Sequence, residues 1–558
     1  MDINEIKSKA EKEYMRWVEN VKPDQEYYRQ LQELRYNPDE CLDSFYTELT
    51  FGTSGLRGIL GPGTNRINSF VIRRTTQGLA NYLNRFYDSP SVLVGYDSRK
   101  NSDYYAEETA AVLNGNGIKV YLFDKITPVS VLSYGIKQLN CSMGVMITAS
   151  HNPKIYNGYK VYGSDGYQIV DEEPRRILDE IREVDFFSGI EYDTNNIEKA
   201  PDMVCENFID AVLGISTNLN KEKLNELKTI YTPLNGAGCE FMKMAFSAIG
   251  YRNYRIVGTQ ELPDPNFKTC PQPNPEKLLA YNEAFGMLDS IGGDIIVATD
   301  PDSDRVGIAL YHEGVRTLVT GNQLGILLLD YLCHIRPPKP GQLVFKSIVT
   351  TPLTDKIAGR FGLETVNTLT GFKYIGRHIS ELAHAGSEDK YYFGFEESNG
   401  YLAKPFICDK DGISSGVLAV EMAAFHKAFG KDPIDRLNEI YEEYGDCFDK
   451  TRNYFFNGAV GKITMDMIMA HFREKVTDSI GNIGITEKVD YMYDAKLPSS
   501  NVIKYVLEND SVLLIRPSGT EAKIKFYSYE TGDFTPVERE IVRLIEYYKK
   551  KYTGEILQ

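Results

Sequence analysis

This 558-residue chain lacks paired cysteines, long apolar runs and any excess of positive charge, and each absence closes off a class of function. Its eight cysteines stand singly with no C-x-x-C spacing, so neither a zinc site nor a disulfide framework is expected, and a reducing compartment suits them. No run nears the roughly 18 to 20 apolar residues of a membrane helix. Acidic residues outnumber basic ones 78 to 62, and the resulting net charge of -16 would repel a polyanion unless a local basic patch intervened. The opening Met1-Asp2-Ile3-Asn4-Glu5 is charged and has no apolar core of a secretion signal. Neither G-x-x-x-x-G-K-[ST] nor G-x-G-x-x-G occurs, so nucleotide-dependent transfer and nicotinamide chemistry lose support. The expectation is a cytoplasmic protein that binds neither nucleic acid nor membrane.

What is present is an ordinary globular composition, 42% hydrophobic and 25% charged, in a chain too long for one core. Residues 1–45 are rich in Glu, Lys and Tyr and read as a helical arm. From 66 to 150, helices alternate with short apolar strands (Val92 to Val94, Val120 to Phe123, Met143 to Ile147), the pattern of a largely parallel sheet. The same alternation recurs over about 205–310 and 320–430. The last 110 or so residues differ, with two adjacent strands near 512–528 and a closing helix over 535–551. The expected fold class is α/β: three similar domains with mixed, largely parallel sheets, then a smaller C-terminal α+β domain. The expected divisions are 1–45, 46–200, 201–312, 313–432 and 433–558.

Five polar segments could carry chemistry. Thr148-Ala149-Ser150-His151-Asn152-Pro153 follows a buried strand, so Ser150 sits where α/β folds place reactive groups. Asp300-Pro301-Asp302-Ser303-Asp304-Arg305 also follows a strand; carboxylates at every second position of an extended loop would point one way and suit Mg²⁺. An EF-hand would need Gly and Glu where Arg305 and Tyr311 stand, and fails. A haloacid-dehalogenase-like D-x-D motif with Asp300 as nucleophile is weakened by Asp304 at its fifth position but stays open. Phe51-Gly52-Thr53-Ser54-Gly55-Leu56-Arg57-Gly58 and Arg516-Pro517-Ser518-Gly519-Thr520 combine hydroxyls, glycine and a guanidinium, as a phosphate cradle would. Glu396, Glu397 and Ser398, in Gly394-Phe395-Glu396-Glu397-Ser398-Asn399-Gly400, could bind vicinal hydroxyls. Each of these loops, met alone, could equally be a surface turn.

In chain order, the Ser150, Asp300, Glu396 and Arg516 segments resemble those of the α-D-phosphohexomutase superfamily, in its phosphoglucomutase-like members, and the resemblance runs from about residue 45 to the C-terminus. The resemblance implies four domains around a central cleft. It implies that Ser150 carries a phosphoryl group, and that Mg²⁺ is held by Asp300, Asp302, Asp304 and a phosphoserine oxygen. Arg57, Lys160 and Arg305 would offset the negative charge, and Thr53 and Ser54 would contact substrate. Arg516, Ser518, Gly519 and Thr520 would bind the phosphate of a phosphosugar, with Glu396, Ser398 and Lys373 on its hydroxyl side. His151, Lys160 and Lys410 are the candidates for proton transfer. His334, His384, His426 and His471 have no motif around them and read as structural. Glucose 1,6-bisphosphate is the implied intermediate and activator, and the resemblance admits a homodimer. Glu-Glu-Ser resembles the glucose-phosphate members, whereas the long arm and the Asp-Pro-Asp loop resemble a branch that includes phosphopentomutases. Mannose or pentose phosphate therefore stay open as substrates, beside a phosphatase using Asp300 and a non-catalytic sugar-phosphate binder.

Overall fold

The computed structural model describes residues 3–52, 55–456, 458–494, 496–518 and 523–553. It comprises two compact units, Met1–Arg336 with Phe372–Pro433, and Pro337–Gly371 with Ile434–Gln558.

In the first unit, six strands form one sheet: β1 (Gly55–Ile59), β2 (Ser91–Tyr96), β3 (Lys119–Leu122), β4 (Met143–Ile147), β5 (Tyr156–Gly163) and β6 (Glu198–Lys199). Their order is β1-β5-β4-β2-β3-β6. Strands β4, β2, β3 and β6 run parallel, joined by helices such as Ser69–Phe86, Ser102–Gly115 and Val129–Gln138. Strand β5 answers β4 in the antiparallel sense, and β1 answers β5 likewise. Every residue of β4 is buried, which is why its sequence is an unbroken apolar run.

A second sheet repeats the plan with β7 (Thr229–Thr232), β8 (Tyr254–Ile256), β9 (Ile295–Thr299), β10 (Val306–His312) and β11 (Val315–Val319), in the order β11-β10-β9-β7-β8. Strand β7 lies parallel to β8 and β9, while β10 reverses against β9. Beyond them in the same unit, β14 (Tyr391–Glu396) and β15 (Gly400–Leu402) form a tight antiparallel hairpin. Ser150, the Asp300–Asp304 run and Glu396–Ser398 thus occupy equivalent places, each at a hairpin turn that follows a buried strand.

The arm belongs to this unit's core. Helix Ile3–Asn20 sets Trp17, the chain's one tryptophan, against Phe45, Phe70, Phe186 and Phe187 at ring distances of 5.3–5.7 Å. Just beyond the helix, the Glu26 carboxylate accepts from the Ser69 N–H (2.8 Å), Asn101 Nδ2 (2.9 Å) and the Tyr105 hydroxyl (2.7 Å). One carboxylate therefore satisfies an orphan donor at the start of Ser69–Phe86 and joins two crossover helices.

In the second unit, β12 (Leu343–Ser347) and β13 (Glu364–Thr368) pair in parallel. An antiparallel sheet follows, built from β16 (Phe448–Phe455), β17 (Ser479–Ile480), β18 (Ile483–Asp490), β19 (Ile503–Leu507), β20 (Val512–Pro517) and β21 (Lys523–Glu530), ordered β16-β21-β20-β19-β18-β17. Ile468 and Phe472 of helix Gly458–Glu474, and Ile541 and Leu544 of helix Thr535–Thr553, share a core with Ile515 and Phe526 of the sheet. Within the C-terminal segment after residue 433 the local pattern shows only β20, β21 and the last helix. Of the strands it misses, β16 and β18 are half-buried or exposed along most of their length, and their polar faces dilute the apolar alternation, whereas β19 does alternate and buries Ile503, Tyr505 and Leu507.

Glu26→Ala should lower the midpoint of the unfolding transition followed by Trp17 fluorescence, corresponding to a loss of on the order of 2 kcal/mol in unfolding free energy, because buried donors lose their acceptor. Glu19→Ala, on the exposed face of the first helix, should leave that midpoint in place.

Candidate active site

Strand β4 ends at Ile147 and β5 begins at Tyr156, so the chain between them must turn back at the edge of the sheet. Ser150 stands in that turn, 2% exposed, with φ at 52°. A left-handed serine costs about 1–2 kcal/mol relative to ordinary backbone and persists only where its surroundings impose it. Its N–H donates to Thr148 Oγ1 (2.8 Å), and its Oγ donates to Asp300 Oδ2 (2.7 Å). His151 Nδ1 lies 3.2 Å from the same Oγ. From β1, Arg57 reaches across to Asn152 Oδ1 at 3.1 Å.

The aspartates converge through a tight turn, not the extended loop expected from their spacing. Ser303 has φ of 55° and its N–H donates to the Asp300 carbonyl at 2.9 Å. Two further backbone bonds pin the turn: Val129 N–H to the Asp302 carbonyl, and Gly412 N–H to the Ser303 carbonyl, both 2.9 Å. Gly412 has to be glycine, since a Cβ there would come within 2.6 Å of the Ser303 carbonyl oxygen.

Asp300, Asp302 and Asp304 are all buried, each offering an oxygen within 4.8 Å of the others. Two unit charges at that spacing repel by roughly 3–4 kcal/mol even at an effective dielectric of about 20. Ammonium groups meet part of this charge. Lys160 Nζ lies 2.8 Å from Asp302 Oδ2 and 3.4 Å from Asp304 Oδ2, and Lys410 Nζ lies 2.8 Å from Asp304 Oδ2. Asp302 Oδ1 and Asp304 Oδ1 nevertheless stay buried with no hydrogen-bond partner among the described residues. Arg305 Nε approaches Asp304 Oδ1 only to 3.8 Å. Converging, unpartnered carboxylate oxygens fit a hard divalent cation such as Mg²⁺, which takes oxygen ligands and keeps places for phosphate oxygens.

The surroundings divide these groups electrostatically. Burial, with Asp302 and Asp304 alongside, pushes the Asp300 carboxyl well above the usual carboxylate range. Asp304 goes the other way: burial would raise it, but Lys410, Lys160 and Arg305 together hold it below that range. Burial works against the charge on Lys160, yet Asp302 and Asp304 outweigh it and keep the ammonium protonated. Asp304 and Asp409 do the same for Lys410. His151 is depressed well below its ordinary value, by burial first and then by Arg305, Arg57, Arg99 and Lys160, and is a neutral imidazole at pH 7.

The Glu-Glu-Ser hairpin joins this cluster through the backbone. The Val306 N–H, next to Arg305, donates to the Asn399 carbonyl (3.1 Å), and Asn399 Nδ2 donates back to the Val306 carbonyl (3.0 Å). Glu396, 6% exposed, ends β14 and adds to the field on Lys410; Ser398 is half-buried in the turn. Arg305 Nη1 donates to Glu276 Oε1 at 2.5 Å. Lys373 is buried at the start of helix Phe372–His384, its Nζ 5.4 Å from the centre of the Tyr374 ring. In the second unit, Arg516 pairs with Lys525 across β20 and β21, and the Ser518 N–H donates to the Lys523 carbonyl at 2.8 Å. Thr53, Ser54, Gly519 and Thr520 lie outside the described residues.

Sequence reasoning missed Asp97, Arg99, Thr148 and Asp409. Thr148 Oγ1 donates to Asp97 Oδ2 at 2.6 Å and lies 3.1 Å from Asp302 Oδ2. Asp409 Oδ1 lies 3.4 Å from Lys410 Nζ. A signal existed for the first pair: Asp97-Ser98-Arg99 is a charged run directly after the buried strand β2, at the same sheet edge as Ser150.

Comparison with known proteins places the chain in a family. Residues 48–188, 206–313 and 320–444 match the family models for α/β/α domains I, II and III of phosphoglucomutase/phosphomannomutase. A phosphoglucomutase of Staphylococcus aureus strain MSSA476 is 33% identical over 551 residues, covering 95% of this chain and 98% of its own. That of strain MRSA252 is 34% identical over 525 residues, covering 91% and 94%. Among solved structures, a phosphoglucomutase/phosphomannomutase family protein from Burkholderia thailandensis shares the fold with a TM-score of 0.66 at 17% identity, covering 89% of this chain and 97% of its own. Parafusin, a phosphoglucomutase from Paramecium, does so with a TM-score of 0.65 at 16% identity, covering 91% and 97%. The chain belongs to the phosphoglucomutase/phosphomannomutase family of the α-D-phosphohexomutase superfamily.

Proposed function

We propose that this protein is a phosphosugar mutase that interconverts glucose 1-phosphate and glucose 6-phosphate through phosphorylated Ser150 and a glucose 1,6-bisphosphate. The observation that carries this reading is the buried Ser150 Oγ, 2.7 Å from a triad of carboxylates with unpartnered oxygens. Glucose is the preferred sugar because the S. aureus relatives at 33–34% identity bear the name phosphoglucomutase.

In the first half-reaction, the P–O bond to Ser150 Oγ breaks as a bond forms to the free hydroxyl of the sugar phosphate. The bisphosphate then turns end for end, and Ser150 Oγ takes its other phosphoryl group. Protons balance if the sugar hydroxyl loses one as Ser150 Oγ regains one. His151, neutral and 3.2 Å from that oxygen, suits this exchange. Lys160 and Lys410, kept protonated by carboxylates, serve as counter-charges to the moving phosphoryl group, with Arg57 and Arg305 beside them. Asp300, Asp302, Asp304 and Ser150 would hold Mg²⁺, whose chemistry is to neutralise phosphoryl oxygens. Glu396, Ser398 and Lys373 would orient the sugar hydroxyls, and Arg516, Ser518, Gly519 and Thr520 carry the donor set for its phosphate. Thr53 and Ser54 would extend the Arg57 loop's contacts. The division into an arm (1–45) and four domains ending at 200, 312, 432 and 558 is part of the same reading.

A phosphatase with Asp300 as nucleophile is disfavoured by its contacts: Oδ2 accepts from Ser150 and Oδ1 from the Arg305 N–H at 3.0 Å.

Ser150→Ala should reduce turnover of glucose 1-phosphate by about 10³-fold or more, in line with loss of a covalent nucleophile, while leaving the fold intact. The wild-type chain treated with glucose 1,6-bisphosphate should gain one phosphoryl group that survives alkaline hydroxylamine and maps to Ser150. A label on Asp300, lost in hydroxylamine, would defeat the mechanism. Asp302→Asn should raise the Mg²⁺ concentration for half-maximal rate by about tenfold or more, read from a metal titration. Parallel rates with glucose, mannose and ribose 1-phosphates decide the sugar, with glucose expected fastest.

A further inference from the structure

We infer that Arg99, working with Asp97 and Thr148, is the positioning element that fixes Ser150 for phosphoryl transfer; the inference rests on Ser150 being the phosphoryl carrier. None of these residues touches the reacting oxygen. What they touch is the backbone that aims it.

The Arg99 guanidinium is fully buried and donates to four carbonyls of a single loop. Nη1 reaches Pro153 and Tyr156, both at 3.1 Å, and Nη2 reaches Asn152 at 2.6 Å and Ser150 itself. One planar fork therefore gathers the turn between β4 and β5 from Ser150 to the first residue of β5. The Pro153 carbonyl also accepts from the Tyr156 N–H at 3.0 Å, and the buried guanidinium ties it to the other three through one rigid centre. The Phe267 ring lies 5.3 Å from the guanidinium carbon and closes off its other side.

Asp97 anchors the clamp. Its carboxylate accepts from the Arg99 N–H (3.0 Å), Ser102 Oγ (2.9 Å) and Thr148 Oγ1 (2.6 Å), with Arg99 Nε at 3.4 Å. Thr148 Oγ1 in turn accepts the Ser150 N–H at 2.8 Å. A hydroxyl has one hydrogen to give, and the shorter contact directs it to Asp97 in preference to Asp302 Oδ2 at 3.1 Å. So the N–H of Ser150 is held through Thr148 and its carbonyl through Arg99, which together impose the left-handed φ of 52°.

A buried ion pair is a poor route to stability, since taking both charges from water costs several kcal/mol each. Its value here is geometric. Phosphoryl transfer depends on in-line placement of the entering and leaving oxygens, and an error near 1 Å costs about 10²-fold in rate.

The test compares Arg99→Lys with Arg74→Lys, a buried arginine elsewhere in the unit that donates to the Val184 carbonyl at 2.7 Å. Lysine keeps the charge but has no planar fork to span four carbonyls. Turnover per folded molecule, measured with glucose 1-phosphate, Mg²⁺ and glucose 1,6-bisphosphate, should fall about 100-fold in Arg99→Lys, with KM within about threefold of wild type. Deuterium uptake by peptides covering 148–156 should rise, while uptake over β7 should not. Arg74→Lys should lower the unfolding midpoint and leave turnover per folded molecule unchanged. Should Arg99→Lys fail to fold, Thr148→Val replaces it, expected to lose turnover and loop protection together, with Thr148→Ser restoring both. The proposal is overturned if the replaced variants keep turnover within about threefold of wild type, if exchange over 148–156 is unaltered, or if Arg74→Lys loses as much turnover. An inactive wild type would refute the mutase reading instead, and the exchange measurements would still decide the clamp.

Discussion

Three carboxylates held within 4.8 Å of one another, away from water, are the constraint around which the first unit is arranged. Such a cluster persists only if its charge is answered, and the chain answers it from several elements. Lys160 comes from β5, Lys410 from the segment before helix Gly412–Lys427, and the Ser150 hydroxyl from the turn after β4. The answer is incomplete, because Asp302 Oδ1 and Asp304 Oδ1 have no hydrogen-bond partner among the described residues. That shortfall gives a buried polar cluster the character of a binding site and not of a structural ion-pair network.

The fold supplies this convergence by one device used three times. A buried strand ends, the chain turns sharply, and an antiparallel strand leads away: β4 to β5, β9 to β10, β14 to β15. Each turn includes a non-glycine residue at positive φ, Ser150, Ser303 and Asn399. Such conformations are costly for L-residues, and each is fixed by hydrogen bonds from a neighbouring element. Thr148 and Arg99 fix the first, Gly412 the second and Val306 the third. Because the turns hydrogen-bond to rigid strands and helix starts, the reactive groups take their precision from the sheets.

The N-terminal arm illustrates how far the local sequence is a guide. Its Glu, Lys and Tyr content reads correctly as helical, but composition does not reveal that Trp17 enters an aromatic core with Phe45, Phe70, Phe186 and Phe187. Nor does it reveal that Glu26 joins the start of one crossover helix to Asn101 and Tyr105 of another. The central parallel strands β2, β4, β7 and β9 were legible because burial on both faces favours short apolar runs, as in Met143–Ile147. Strand β5 was not, since Tyr156–Gly163 mixes Tyr, Lys, Asn and Gly. Its Lys160 is drawn inward by the aspartates, so burial and hydrophobicity part company there.

By itself the sequence determined the α/β alternation, the serine loop, the aspartate run and the glutamate-serine loop, because each depends on residue types a few positions apart. Only the tertiary structure decided that the aspartates meet through a tight turn, that Lys160 and Lys410 share Asp304, and that Arg99 gathers four carbonyls beneath Ser150. Those contacts join residues as many as 144 positions apart, and Coulomb and hydrogen-bond energies depend on distance in space, which local periodicity does not encode.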